Sequence, residues 1–177
     1  RAPGAASVDQ LRKRMKKVEY LVEVYNPMRK GIVPHAVYLM EENLALLDDM
    51  DFVFVAIDKV EAKSAISQKL ESDGVPFIDV GMGISVVDEA LFGVLRTTTS
   101  SPDKRDHFGK CVNLGSADID DAYRQNIQIA DLNALNAALA VIRWKKLFGF
   151  YGDLEREHQS NFTIDGNIIT NSQFHEE

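Results

Sequence analysis

Asp51-Phe52-Val53-Phe54-Val55-Ala56-Ile57-Asp58 is the stretch that decides the fold class. Its apolar run has no polar alternation, as in a strand covered on both faces within a parallel sheet, and it stops abruptly at Asp58. On its C-terminal side, residues from Val60 to Leu70 return at helical spacing, Gly74 closes that helix, and Pro76 to Val80 supplies a second buried strand. On its N-terminal side, Glu41 to Leu47 reads as a short helix and the β-rich Ile32 to Met40, after Gly31, as a strand. Leu11, Met15, Val18, Leu21, Val22 and Tyr25 recur at helical spacing further upstream, with Ser7 as N-cap, Gln10 as its capping-box partner, and Asn26-Pro27 as the stop. The order predicts an α/β fold, a Rossmann-like, mostly parallel sheet with crossover helices.

Beyond Gly81 the pattern changes. Ile84 to Val87 and Leu91 to Thr98 flank Asp88-Glu89-Ala90 as an antiparallel extension. Residues 99–121 are polar, with Pro102, Gly109 and Gly115 among them, and read as a long crossover loop. Leu132, Leu135, Ala138, Leu139 and Ile142 mark a buried helix ending near Gly149, and Asn161 to Thr170 a last hairpin around Asp165-Gly166. No repeat or low-complexity segment interrupts the chain, so residues 1–177 read as a single domain. The opening Arg1-Ala2-Pro3-Gly4 resembles a loop interior, which suggests a fragment whose N-terminal strands are missing.

The 177 residues are 45% apolar and 27% charged, the composition of a protein with a full core. A net charge of −7 argues against a protein whose affinity comes from neutralising nucleic-acid phosphates. No apolar stretch approaches the roughly 20 residues of a membrane span, and no signal segment opens the chain. A cytoplasmic protein without membrane partners is the expectation. Cys111, the single cysteine, excludes an internal disulfide and any paired-cysteine zinc site.

In an open parallel sheet ligands sit beyond the carboxyl ends of the strands, where Asp58 is placed to hold a metal or to cap the following helix. Gly81-Met82-Gly83 permits close backbone approach to a ligand or forms a turn. Arg12, Lys13, Arg14, Lys16 and Lys17 form either a phosphate clamp or a solvated basic face. Cys111, four residues after His107, is either a thiol assisted by an imidazole or an inert small residue.

Taken in order, several of these segments resemble the ThiF/MoeB family, the adenylyltransferases related to ubiquitin-activating enzymes. They are Lys17-Val18-Glu19, Asn26-Pro27, the run from Asp51 through Asp58 to Lys63, Pro76-Phe77-Ile78, Gly93-Val94-Leu95, and Ile127 to Ala130 with Ala134. The resemblance implies an enzyme that binds ATP and adenylates the C-terminal carboxylate of a ubiquitin-like or sulfur-carrier protein, releasing pyrophosphate, in many relatives before transfer to a cysteine. It implies a homodimer. It also implies that Asp58 holds magnesium and that Arg1, as the end of an Asn-x-x-Arg motif, and Lys17 contact the ATP phosphates. Lys63 stands where many relatives have arginine, and Cys111 falls near the loop that commonly carries the catalytic cysteine. The family's glycine-rich nucleotide loop and zinc-binding cysteines are missing, so this segment alone is expected to bind ATP poorly and to carry no zinc. The competing expectations are a non-catalytic binding or dimerisation module and, ranked last, a nicotinamide-dependent oxidoreductase.

Overall fold

Ser7 and Gln10 exchange the two hydrogen bonds of a capping box, Gln10 N donating to Ser7 Oγ at 3.2 Å and Ser7 N to Gln10 Oε1 at 2.8 Å, and so start the first helix. The computed structural model describes residues 6–114 and 129–172. These belong to two compact units, Arg1–Leu39 and Met40–Glu177.

In the N-terminal unit the expected single helix is two: α1 (Val8–Arg12) and α2 (Lys17–Tyr25). Arg14 sits at φ +51°, which no α-helix accommodates, and Glu19 Oε2 accepts from Lys16 N at 3.0 Å to start the second helix afresh. The strand expected over Ile32–Met40 does not form. Pro34 has no N–H to give to a ladder, and Val33, Val37 and Tyr38 are exposed. The Lys16 ammonium donates instead to the Ala36 carbonyl at 3.2 Å.

The C-terminal unit opens with a 3-10 helix (Glu41–Leu47), then β1 (Val53–Val55), α3 (Val60–Ser72), β2 (Phe77–Val87), β3 (Ala90–Ser100), α4 (Phe108–Cys111), α5 (Ala130–Leu147), β4 (Gln159–Thr163) and β5 (Ile168–Ser172). α3 ends as Gly74 suggests: at φ +77° it lets Val75 N reach Leu70 O at 2.9 Å and its own N–H reach Glu71 O at 3.3 Å, closing the helix in a Schellman turn. The fold is α/β, with a five-stranded sheet in the order β1-β2-β3-β4-β5.

The balance of the sheet differs from the mostly parallel expectation. Among the described residues only β1 and β2 pair in parallel, joined by the crossover helix α3, and the three other pairings are antiparallel. The reason lies at Asp88 and Glu89, whose φ values of +48° and +64° make a two-residue hairpin turn that returns the chain at once beside β2. The antiparallel extension is therefore the body of the sheet. Pro76–Val80 and Ile84–Val87 also merge into one strand, running straight through Gly81-Met82-Gly83. The last hairpin forms as expected, slightly longer, from β4 and β5.

Side chains alternate across β2 and β3 and meet a different layer on each face. Ile84 and Leu95 pack with Leu132 of α5 on one face. On the other, Phe77 meets Phe108 of α4 edge-on at 4.9 Å, and Asp79 meets Lys63 of α3. Among the described residues no helix is long and apolar enough to cross a membrane.

Candidate functional site

Asp58 is exposed, three residues past the end of β1 and ahead of α3. The N-cap of α3 is Lys59. Asp58 thus stands one residue before that N-cap, at the carboxyl end of β1, which pairs in parallel with β2. Among the described residues no three His, Cys, Asp or Glu side chains converge as a metal cage. One exposed carboxylate fits magnesium, which is commonly held by one or two carboxylates and completes its shell with nucleotide phosphates and water.

Lys63 lies one turn into α3 and points inward. Its Nζ is 2.7 Å from Asp79 Oδ1, with the lysine side chain 9% and the aspartate side chain 0% exposed. Arg96 Nη2 donates to Asp79 Oδ2 at 2.6 Å, and Arg96 Nη1 donates to Thr98 Oγ1 at 2.8 Å. One buried carboxylate thus holds two cations from two layers, and the Lys63 ammonium is committed to that pairing. The same guanidinium explains Gly81: a Cβ there would come within 2.7 Å of Arg96 Nη2. The group that approaches this glycine backbone closely is therefore Arg96, within a strand, and neither a turn nor a loop is present at Gly81-Met82-Gly83.

Lys17 is exposed in the first turn of α2, in the N-terminal unit. Arg1 lies outside the described residues, as do residues 115–121 of the expected crossover loop and Ile127 of the quoted resemblance. The described part of that loop starts later than expected, because Thr99 and Ser100 still belong to β3 and are fully buried.

Cys111 closes the one-turn helix α4 and is partly buried. Burial pushes its thiol above the ordinary value, and the charges of Arg96 and Lys110 offset part of that rise. A thiol raised in this way is mostly protonated at neutral pH, the opposite of an activated nucleophile. His107 carries the N-cap of α4, and its carbonyl accepts from Cys111 N at 3.1 Å. Its fully buried imidazole has Nε2 2.8 Å from the Thr99 carbonyl, and its ring lies 5.1 Å from that of His158.

Burial lowers the pKa of His107, with Lys104 adding to the effect and the Thr99 carbonyl, Asp106 and Glu71 opposing it. Burial also lowers His158, helped by His107, Arg143 and Lys104 and opposed by Asp106. Both imidazoles are therefore neutral in the folded chain over a pH range in which the unfolded chain already binds protons. Stability is full above the unfolded value of about 6.5 and falls as pH drops from there toward the depressed folded values, by at most about 1.4 kcal/mol per pH unit for each ring. Urea titrations at pH 8 and pH 5.5 are expected to show this loss, and replacing His107 and His158 by glutamine should flatten it. An unchanged slope in that variant would assign the acid sensitivity to other groups.

A second charged network ties α5 to the segment before β4. Arg143 Nη1 is 2.6 Å from Asp153 Oδ2 and 3.5 Å from Glu157 Oε2, and Lys146 Nζ is 2.7 Å from Glu157 Oε1. Burial raises the Asp153 carboxyl, but the Arg143 guanidinium holds it below the usual carboxylate range. Neither this network nor the Asp79 pair was among the sequence candidates. The signals were a lone aspartate within an apolar strand and an arginine on a largely apolar helix, each of which needs a partner if its element is buried.

The sequence matches no protein-family model, and no curated protein matches it.

Proposed function

We propose that this chain is part of an ATP-dependent adenylyltransferase that activates the C-terminal carboxylate of a ubiquitin-like or sulfur-carrier protein. The observation that carries the reading is Asp58: an exposed carboxylate just beyond the carboxyl end of β1, the end of the strands at which open α/β sheets hold their ligands. In this reading the carrier's carboxylate oxygen attacks the α-phosphorus of ATP, the bond to the bridging β-phosphate oxygen breaks, and pyrophosphate leaves. Magnesium would neutralise the phosphate charge that opposes the approach of a second anion. Asp58 supplies the fixed negative ligand that localises the metal, and its position at the strand end sets where the phosphates lie. The phosphate-contact roles of Lys17 and Arg1 rest on the resemblance to the adenylyltransferase family. The Lys63 pairing with Asp79 supports a positioning role for that lysine, bracing α3 against β2 behind Asp58.

A second reading, a non-catalytic binding module on the same sheet, is favoured by two observations: the Lys63 ammonium is engaged internally and the Cys111 thiol is raised. Pyrophosphate exchange into ATP, assayed with the intact protein and a panel of ubiquitin-like and sulfur-carrier proteins, separates the two. Asp58→Ala is expected to lower exchange by at least about a hundredfold, as removal of a transition-state charge stabiliser does, with a cooperative thermal unfolding transition retained to show that the variant is folded. Exchange that survives Asp58→Ala would end the magnesium role. Carrier binding without exchange, indifferent to that substitution, would support the binding module.

A further inference from the structure

β3 runs one step past the ladder it forms with β4. Thr98 pairs with Gln159, the first residue of β4, and on that side the next residue, Thr99, turns to two histidines. Its N–H donates to the His158 carbonyl at 2.8 Å, and its own carbonyl lies 2.8 Å from His107 Nε2. A carbonyl only accepts, so in the neutral ring Nε2 carries the hydrogen and a further proton has to go to Nδ1. Nδ1 is buried in His107 and in His158 alike. The Thr99 hydroxyl also accepts from Arg143 Nε at 3.4 Å. Positive charge faces the two rings from the buried Lys104 ahead of α4 and from Arg143 of α5, while Lys110 and Arg96 add more beside Cys111. The neighbouring carboxylates already answer other groups. Asp106 is 2.9 Å from Lys104, Glu71 of α3 accepts from Ser100 Oγ at 2.9 Å, and Asp153 and Glu157 hold Arg143 and Lys146. A proton on either imidazole would therefore sit next to fixed positive charge, with the other ring 5.1 Å away.

We infer that His107 and His158 form a proton-operated latch, which fastens residues 104–112 to the sheet and, on taking up a proton, lets that segment lift away and bare Cys111. The segment has few other ties. Phe108 packs on Phe77, and the Arg105 guanidinium donates to the carbonyls of Glu71 and Ser101. α4 is a single turn, too short to hold its shape without the sheet. Its N-cap is His107, whose carbonyl accepts from Lys110 N at 3.0 Å and Cys111 N at 3.1 Å, so a displaced His107 carries Cys111 with it. In the lifted form both rings meet water and titrate in the ordinary way, whereas the closed form excludes the proton. The latch is shut above about pH 6.5, and opening grows easier below it, by at most about tenfold per pH unit for each ring. The buried Phe108 keeps the lifted form a minor one. The latch needs no adenylate chemistry, and its failure would leave the proposed activity standing.

Thiol labelling reads the latch without urea. The rate at which Cys111 of the intact chain reacts with 4,4′-dithiodipyridine, divided by that of glutathione at the same pH, is expected to rise by about tenfold or more from pH 8 to pH 5.5. His107→Gln keeps an N–H for the Thr99 carbonyl but takes up no proton, and combined with His158→Gln it is expected to abolish the rise. Hydrogen exchange of the unaltered chain, corrected for the intrinsic rate at each pH, gives a second reading that needs no variant. The amides of Lys110, Cys111 and Val112 should lose protection at pH 5.5 while those of β2 and β3 keep theirs. A flat labelling ratio, a rise that persists in the doubly substituted protein, or protection lost equally across the sheet would each overturn the latch.

Discussion

Asp79→Ala is expected to destabilise the C-terminal unit by about 3–5 kcal/mol, the range found when one partner of a buried ion pair is removed. The size follows from what stays behind. Asp79 is fully buried, and it answers both the Lys63 ammonium at 2.7 Å and the Arg96 guanidinium at 2.6 Å. Without the carboxylate, two cations would remain in a region built to exclude water, with Thr98 Oγ1 as the nearest acceptor for Arg96. Lys63→Met should cost clearly less, since Arg96 still neutralises Asp79. Adding Lys63→Met to Asp79→Ala should recover part of the loss, because the stranded ammonium is gone. Urea unfolding of the four proteins forms a double-mutant cycle. Additive effects, or a cost for Asp79→Ala below about 1 kcal/mol, the scale of an exposed pair, would mean that the three groups do not act together.

Phe77→Ala is expected to cost about 3–5 kcal/mol by a different route, the loss of buried apolar surface together with the cavity left behind. Phe77 is fully buried at the start of β2, paired in register with Val53 of β1 and Ser100 of β3, and its ring meets Phe108 edge-on. Its removal therefore loosens the parallel pair, the hairpin and α4 at one point. Phe77→Leu fills most of the space and should cost less than half as much. Hydrogen exchange would locate the effect: amides of β1, β2 and α4 should lose protection together. A loss confined to α4, with β1 unchanged, would show that Phe77 does not join the two pairings.

The sequence was most legible where local chemistry and tertiary packing agreed. The apolar run around Val53–Val55, the helix closed by Gly74 and the hairpin around Asp165-Gly166 all appear where pattern places them. It misled where a period was counted without asking about backbone donors. Pro34 inside Ile32–Met40 was a visible reason to doubt that strand, and nothing in residue spacing revealed the turn of the chain at Arg14. At Gly81 the sequence offers either a close approach to a ligand or a turn, because glycine permits both. Close approach is what occurs, but the approaching group is Arg96, fifteen residues away in sequence and directly opposite in register.

The site divides along the same line. Asp58 was legible because a carboxylate after an apolar strand has a definite place in an α/β sheet, and it stands exposed there, although β1 is an edge strand with Phe54 exposed rather than a strand covered on both faces. The inward turn of Lys63 depended on Asp79, whose strand reads as buried but whose two partners come from α3 and β3, elements that no local pattern places beside it. The commitment of His107 to Thr99 likewise rests on β3 running further than its apolar run suggested.

The most direct test of the proposed activity is the intact mass of a ubiquitin-like or sulfur-carrier protein after incubation with the intact protein, ATP and magnesium. The account predicts a carrier heavier by one adenylyl group, with one pyrophosphate released per adduct and no adduct formed by Asp58→Ala. A carrier that binds but keeps its mass, or an adduct that Asp58→Ala forms as well as the unaltered protein does, would contradict it.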